Sequence, residues 1–409
     1  MISAKIASWF TARRLRAYGT ILAISLWSIY LWNVATPGLL DRGGNLKGTD
    51  FLHLYTLGSL ALAHRGADLY NMQAQSELAA HEIPAAAGIR YLPLYPPQVS
   101  LALAPLARLS YAWALFLWLT LSALIYGMCC YAIWRACPNL RSYGLTVLIL
   151  ALAFPPFWHL IAWGQTSALA LVLFVLAFFA LRAQREFLAG IVFGCLAFKP
   201  QLGVAAAIVF LFTFRWKVIA GALLASAAEF MFAALYYGPA PLRAWMHVLF
   251  NIPSVFSLLE PKPYQTHCLR TFWTMLIPSP TLSFALYVVT ALIVSALTIA
   301  LWRGLMPLGL RYSALLLSSV LLAPHLTVYD LVILAPAFLL LSDSIVVQTG
   351  TTTPSIKLLL YFAFCLPLLG PLTRWTHLQL SVPVMAALLY GIWTTGRKSI
   401  SATNHSDQI

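Results

Sequence analysis

The sequence predicts an all-α polytopic membrane protein, one integral membrane domain over residues 1–409. Three observations carry that expectation. Hydrophobic residues make up 61% of the chain and charged residues only 9%, against ~25% charged in a typical soluble domain. The apolar residues fall in runs fit for helices crossing ~30 Å of hydrocarbon, which takes ~20 residues each. The basic residues stand in ones and twos between those runs. The net charge of +14 therefore reads as anchoring at the membrane rather than nucleic-acid binding, and no RNA-binding or zinc-ligand spacing is present.

The opening MISAKIASWFTARRLRAYG has the basic flank of a signal peptide. The apolar stretch that follows is long, rich in Trp and Tyr, and lacks an A-x-A site, so an uncleaved first span is expected over 17–38. Further spans are expected near 111–134, 142–162, 166–181, 217–237, 281–302, 309–323, 331–347, 357–371 and 378–395. The segment 187–216 carries Lys199-Pro200 in its middle and basic residues at both ends, which suits a hairpin of two short helices. The sum is about twelve passes, with both termini on one side. The six cysteines lie mostly in apolar runs and read as small hydrophobes rather than a disulfide framework.

Charge assigns the sides. With the N-terminus in the cytoplasm, the inner segments collect Lys5, Arg13, Arg14, Arg16, Arg135, Arg141, Arg182, Arg185, Arg215, Lys217, Arg303, Arg311, Lys357, Arg397 and Lys398. Their acids are only Glu186, Asp343 and Asp407, the positive-inside pattern. A linker over 346–355 falls on the same side. The opposite face has two long loops, 39–110 and 238–280, and shorter ones around 324–330 and 370–378, which gather most histidines and acids. Such concentration points to a working outer face, although loop length alone would account for it almost as well.

Five constellations on that face could carry chemistry. Asp50 opens FLHLYTLGSLALAHRG, expected as a helix at the membrane surface. The carboxylate is either a helix N-cap or a general base taking a proton from an attacking hydroxyl. Tyr95-Pro96-Pro97 reads as a stiff corner delivering a short helix, with Tyr95 or Gln98 as possible site linings. Lys199 lies ~18 Å along a helix from Phe187, too short to cross the core. An intramembrane cation there either snorkels or binds a lipid-linked phosphate. The loop 251–273 brings Glu260, Lys262, Gln265, His267 and Arg270 together, and Arg270 suits bidentate phosphate binding. In LLAPHLTVYDLVILAP, Asp330 either caps the next helix with His325 bonded to it, or His325 donates to a phosphate leaving group. Gln165 at another outer turn starts a helix or holds a sugar hydroxyl. Glu229, inside a span, is either protonated or paired.

In order, the blocks GTDFLHLY, LYPPQVSLALAPLARLSYAWALFLW, WGQTSALAL, LAGIVFGCLAFKPQ, YQTHCLRTFW and APHLTVYDLVILAP resemble glycosyltransferase family 87 of the GT-C superfamily. The resemblance implies a GT-C-type bundle with short re-entrant or hairpin helices and external loop helices. It implies a polyprenyl-phosphate sugar donor, an external glycolipid or glycan acceptor and no nucleotide sugar; separately, no metal-ligand spacing compels a cation, so neither a metal nor a cofactor is expected. It places a catalytic base at Asp50 and favours a hexose, mannose first. An Asn-Gln-Ser run of the family stands here as Tyr264-Gln265-Thr266, which leaves that loop's role open. On this reading Lys199, His325 and Arg270 bind the donor phosphate, and Tyr95, Gln165, Gln265 and Asp330 bind substrate. The expected setting is the cytoplasmic (inner) membrane of a bacterium, with the site facing the periplasm or exterior. A transporter or lipid flippase is the alternative, its polar residues then expected near the midplane; a non-catalytic envelope scaffold is another.

Overall fold

The computed structural model describes residues 11–252, 259–347 and 353–406. Lys5, Asp407 and residues 348–352 of the expected 346–355 linker lie outside the described residues, as do the side chains of Arg397 and Lys398. The described chain is helical and forms no strand, only two isolated bridges, one of them Thr266 to Thr327. A chain this apolar has few other choices. Hydrocarbon offers no hydrogen bonds, so each backbone group must be satisfied within its own segment.

Every apolar run of the sequence is helical in the structure. Six helices are long and apolar enough to cross a membrane, or seven with the bent pair counted as one span. They include Ala12–Val34, Tyr111–Ala136, Trp216–Tyr237 and Pro280–Arg303. The expected span 142–162 is that pair, Pro138–Leu152 and Pro155–Trp163, bent by 46°. Pro155 and Pro156 explain the bend, because proline cannot donate to the preceding turn. Five further apolar helices are shorter: Ser167–Arg182, Glu186–Phe198, Pro200–Phe212, Leu308–Leu322 and Ser381–Thr395. The hairpin expected over 187–216 is present, broken at Lys199-Pro200 as the proline requires.

Most long spans sit outermost, with Ile21, Ile24, Trp32, Leu124 and Leu292 exposed, while Val328–Val346 runs through the interior. The short helices Ser167–Arg182 and Leu308–Leu322 are buried along most of their length. Small residues let neighbours close in. At Gly190 an added Cβ would run into Val218 O, and at Gly221 into Phe187 O.

The first outer loop differs from expectation. Residues 39–110 fold into helices Thr49–Leu62, Met72–Glu82 and Gln98–Leu103 with short 3-10 turns between, around a core of Leu46, Phe51, Leu52, Tyr55 and Val99 that is completed by Trp118 of the following span. The Thr49–Leu62 helix does not lie free on a surface. Phe51 through Ala61 are all buried, because this segment is apolar all round and not on one face. Gly58 permits a close approach of two backbones, where an added Cβ would meet Leu103 O at 2.7 Å.

A candidate active site around Asp50

Two glycines set the geometry. Gly48 takes φ 65°, a left-handed conformation that starts the Thr49–Leu62 helix and puts Asp50 in its first turn. The cap position is Gly48, so Asp50 is not the N-cap. Gly164, φ 73°, ends the Pro155–Trp163 helix, and a Cβ there would meet Phe51 Cβ at 2.8 Å. That close approach brings Gln165 against Asp50. Gln165 Nε2 donates to Asp50 Oδ2 at 2.5 Å, and Tyr95 Oη donates to Gln165 Oε1 at 3.2 Å. Tyr95 Oη also lies 3.1 Å from Thr166 Oγ1. The backbone around Asp50 is pinned by tyrosines: Tyr91 Oη donates to Thr49 O, and Tyr111 Oη reaches Lys47 O at 2.8 Å and Gly48 O at 3.0 Å.

Two residues beyond Gln165, Ser167 Oγ donates to Asp330 Oδ1 at 2.5 Å and lies 3.2 Å from Lys199 Nζ. Lys199 Nζ is 2.7 Å from Asp330 Oδ1, with 5% and 3% of the two residues exposed. Nζ also faces the Tyr329 ring at 5.2 Å. Asp50, Gln165 and Tyr95 form one hydrogen-bonded set and Ser167, Lys199 and Asp330 another, joined through the backbone of residues 165–167 and through the charges of Lys199 and Asp330, which act on Asp50. Asp330 caps the 3-10 turn Val328–Leu334 in a capping box with Thr327, as one reading of the sequence expected.

His325 and Arg270 form a separate group. His325 Nδ1 is 2.8 Å from Glu260 Oε1, and Arg270 shares that same oxygen while its Nε donates to Pro324 O. Thr271 Oγ1 donates to Glu260 Oε2 at 3.0 Å. Two expectations are corrected here. His325 bonds to Glu260 and not to Asp330, because the 3-10 turn carries Asp330 inward to Lys199. The three cations expected to act together are divided, each group neutralised in part by its own carboxylate. Chain connectivity still keeps the groups adjacent, since His267 N donates to Leu326 O at 2.9 Å beside the Thr266–Thr327 bridge. Gln265 lies in the turn Pro263–Gln265, half-buried, and its side chain makes no hydrogen bond among the described residues.

Electrostatics distinguishes Asp50. Burial pushes its carboxyl up to about 6, against the hydrogen bond from Gln165 and the charges of Lys199 and Lys262, with Asp330 adding to the rise. A carboxylate that is half-accessible and titrates near 6 can accept a proton at neutral pH. Tyr95 is held neutral by burial, so it remains a donor. For Glu260, burial acts upward but His325 and Arg270 outweigh it, and the carboxyl stays below its usual range.

Two participants, Ser167 and His53, escape a reading of the sequence, and for two more, Lys262 and Glu260, the sequence shows the loop but not the partners. Ser167 is an unremarkable helix-start residue. Lys262 is exposed on its loop, yet its charge reaches Asp50. Glu260 anchors a cluster that is legible only once folded. His53, three residues past Asp50, stacks on Tyr91 at 5.0 Å and keeps a buried Nε2 with no partner. Its i,i+3 spacing from Asp50 is the one available signal. Glu229 is paired, accepting from Gln98 Nε2 at 3.2 Å. No group of His, Cys, Asp and Glu suited to a metal ion occurs among the described residues.

No curated protein and no solved structure matches this chain. The model of Glycosyltransferase family 87 matches residues 94–324, more than half of the sequence. That stretch contains Tyr95, Gln165, Lys199, Glu260 and Arg270, and Asp50 joins it through Gln165. The chain belongs to glycosyltransferase family 87, a family of membrane enzymes that transfer glycosyl groups.

Proposed function

We propose that this protein transfers a hexose, mannose first, from a polyprenyl-phosphate donor to an external glycolipid or glycan acceptor. The supporting observation is a half-buried carboxylate, raised to about 6, held by Gln165 and felt by the charges of Lys199 and Lys262. Asp50 takes the proton from the acceptor hydroxyl as its oxygen attacks the anomeric carbon. The bond from that carbon to the phosphate oxygen breaks, and its electron pair leaves with the polyprenyl phosphate. Lys199 has three N–H donors and gives two to Asp330 and Ser167. Closed in by these partners, it supports the departing anion through its charge rather than by contact. Arg270 and His325 meet the phosphate from the Glu260 side, where Nδ1 of His325 turns to the carboxylate and Nε2 turns to the ligand. Tyr95 and Gln165 hold Asp50 and the sugar hydroxyls, Gln265 contributes from the loop turn, and Asp330 holds Lys199.

One base facing one anion site supports inversion at the anomeric carbon, by analogy with inverting glycoside chemistry. About twelve passes would follow if the five short apolar helices cross together with the long ones. Both termini then lie in the cytoplasm and the site opens to the periplasm or exterior, consistent with the basic residues gathered at the other helix ends.

The test is Asp50→Asn in purified protein supplied with a lipid-linked sugar. Transfer is expected to fall ~10²–10⁴-fold, the usual contribution of a general base. Thermal stability is expected to hold or rise at pH 7. The folded pKa lies above the ordinary value, so stability falls as pH rises from 3.8 to about 6, and the whole cost of the ionised carboxylate is present at pH 7. Full activity in the variant would remove Asp50 from the chemistry.

A further inference from the structure

The opposite end of the bundle holds a second polar cavity. Ser167 of the candidate site begins the helix Ser167–Arg182. The far end of that helix is ~24 Å away at 1.5 Å per residue. There a cavity of about 60 Å³ is lined by Gln184, Glu186, Arg215, Trp302 and Arg311 together with apolar side chains. A water's share of liquid volume is ~30 Å³, so the cavity has room for a compact oxyanion.

Its charges do not balance. Arg215 pairs with Glu186 at 2.5 Å. Arg311 lies over the Trp302 ring at 5.4 Å, and its Nε is buried with no hydrogen-bond partner. Among the described residues its guanidinium donates no hydrogen bond and meets no carboxylate. A buried charged donor left unpaired is costly, more so than a neutral one. The surroundings say what would satisfy it. Two guanidiniums and one carboxylate leave a net positive site, and the arginine fork fits two oxygens of a tetrahedral anion. Phe212, Phe214 and Trp216 are exposed beside it, an aromatic rim of the kind found at a membrane–water interface.

We propose that this cavity binds a phosphate group, supplied by an anionic phospholipid headgroup or by free phosphate, with Arg311 as its main ligand and Arg215 as the second. The site is separate from Asp50 and stands whether or not the proposed transfer reaction is correct. A phospholipid bound here would clamp the ends of the Glu186–Phe198, Pro200–Phe212 and Leu308–Leu322 helices, the first two of which meet at Lys199.

The test uses the full chain in neutral detergent, with phosphatidylglycerol, phosphatidylcholine and inorganic phosphate as probes. Thermal unfolding and lipid retention in native mass spectrometry are the readouts. Phosphatidylglycerol is expected to act at about tenfold lower concentration than phosphatidylcholine, and Arg311→Gln is expected to erase that preference. Arg303→Gln, at the same end but outside the cavity lining, is expected to keep it. A response to phosphatidylglycerol alone assigns a lipid headgroup; a response to inorganic phosphate as well assigns the free anion too. No preference in the wild type, or an equal preference in Arg311→Gln, overturns the proposal. Should Arg311→Gln fail to fold, Arg311→Lys keeps the charge without the fork, and an unchanged preference there, or none in the wild type, overturns it equally.

Discussion

Two charged groups are joined through the segment 324–330, the Lys199–Asp330 pair and the Glu260 group, and they differ in how far they are closed. The Lys199–Asp330 pair is sealed, with side chains 6% and 4% exposed, and both oxygens of Asp330 are occupied by Lys199, Ser167 and Thr327. The Glu260 group is looser. His325 and Arg270 keep 18% and 12% of their side chains accessible, and a single carboxylate serves both. A sealed pair holds structure together and sets a field; an open group whose donors share one carboxylate can still take on an anion. The comparison separates the part of the site that must be intact for folding from the part that can exchange partners during a reaction.

The largest effect should come from breaking the sealed pair. Lys199→Met strands the Asp330 carboxylate in the interior, and losing one partner of a buried pair costs ~3–5 kcal/mol. Asp330→Asn strands the ammonium in the same way. The double variant Lys199→Met, Asp330→Leu removes both charges and should recover most of that loss in thermal unfolding. If the single variants unfold no earlier than wild type, the pair is not the sealed unit described.

Much of this architecture is legible in the sequence, and the reasons are local. Apolar runs, the Lys199-Pro200 break and the Tyr95-Pro96-Pro97 corner each dictate their backbone without help from distant residues. Asp50, Gln165 and Lys199 stand out because polar groups are rare in a chain with 9% charged residues. Pairing is what the sequence conceals. Lys199 and Asp330 are 131 residues apart and His325 and Glu260 are 65 apart. Nothing local says which carboxylate each cation will choose. The same blindness makes residues 39–110 read as a loop with a surface helix, when their apolar side chains close on one another.

A smaller effect should follow from the open group. His325→Ala leaves Glu260 its bonds from Arg270 and Thr271, so stability should change little. Loss of one preorganised donor to developing charge typically costs ~10²–10³-fold in turnover. The expected result is a fall in kcat for transfer from the lipid-linked donor with an unfolding midpoint near wild type. A His325→Ala protein that unfolds as readily as Lys199→Met would erase the distinction between the two groups.

The finest probe of the comparison is Gln165, which touches Asp50 directly while its neighbour Ser167 touches the sealed pair. In the wild type, transfer should rise with pH through about 6 as Asp50 loses its proton, then level off. Gln165→Leu removes a hydrogen bond that favours the ionised carboxylate. A hydrogen bond to a charged group is worth ~1.5–3 kcal/mol, so the rising limb should move up by about one pH unit. Activity at pH 8 should be affected far less than at pH 6, because Asp50 is ionised there in both proteins. A uniform loss at every pH would mean that Gln165 holds the sugar rather than the base. A profile that does not rise near 6 at all would show that the group titrating in catalysis is not the carboxylate that Gln165 bonds.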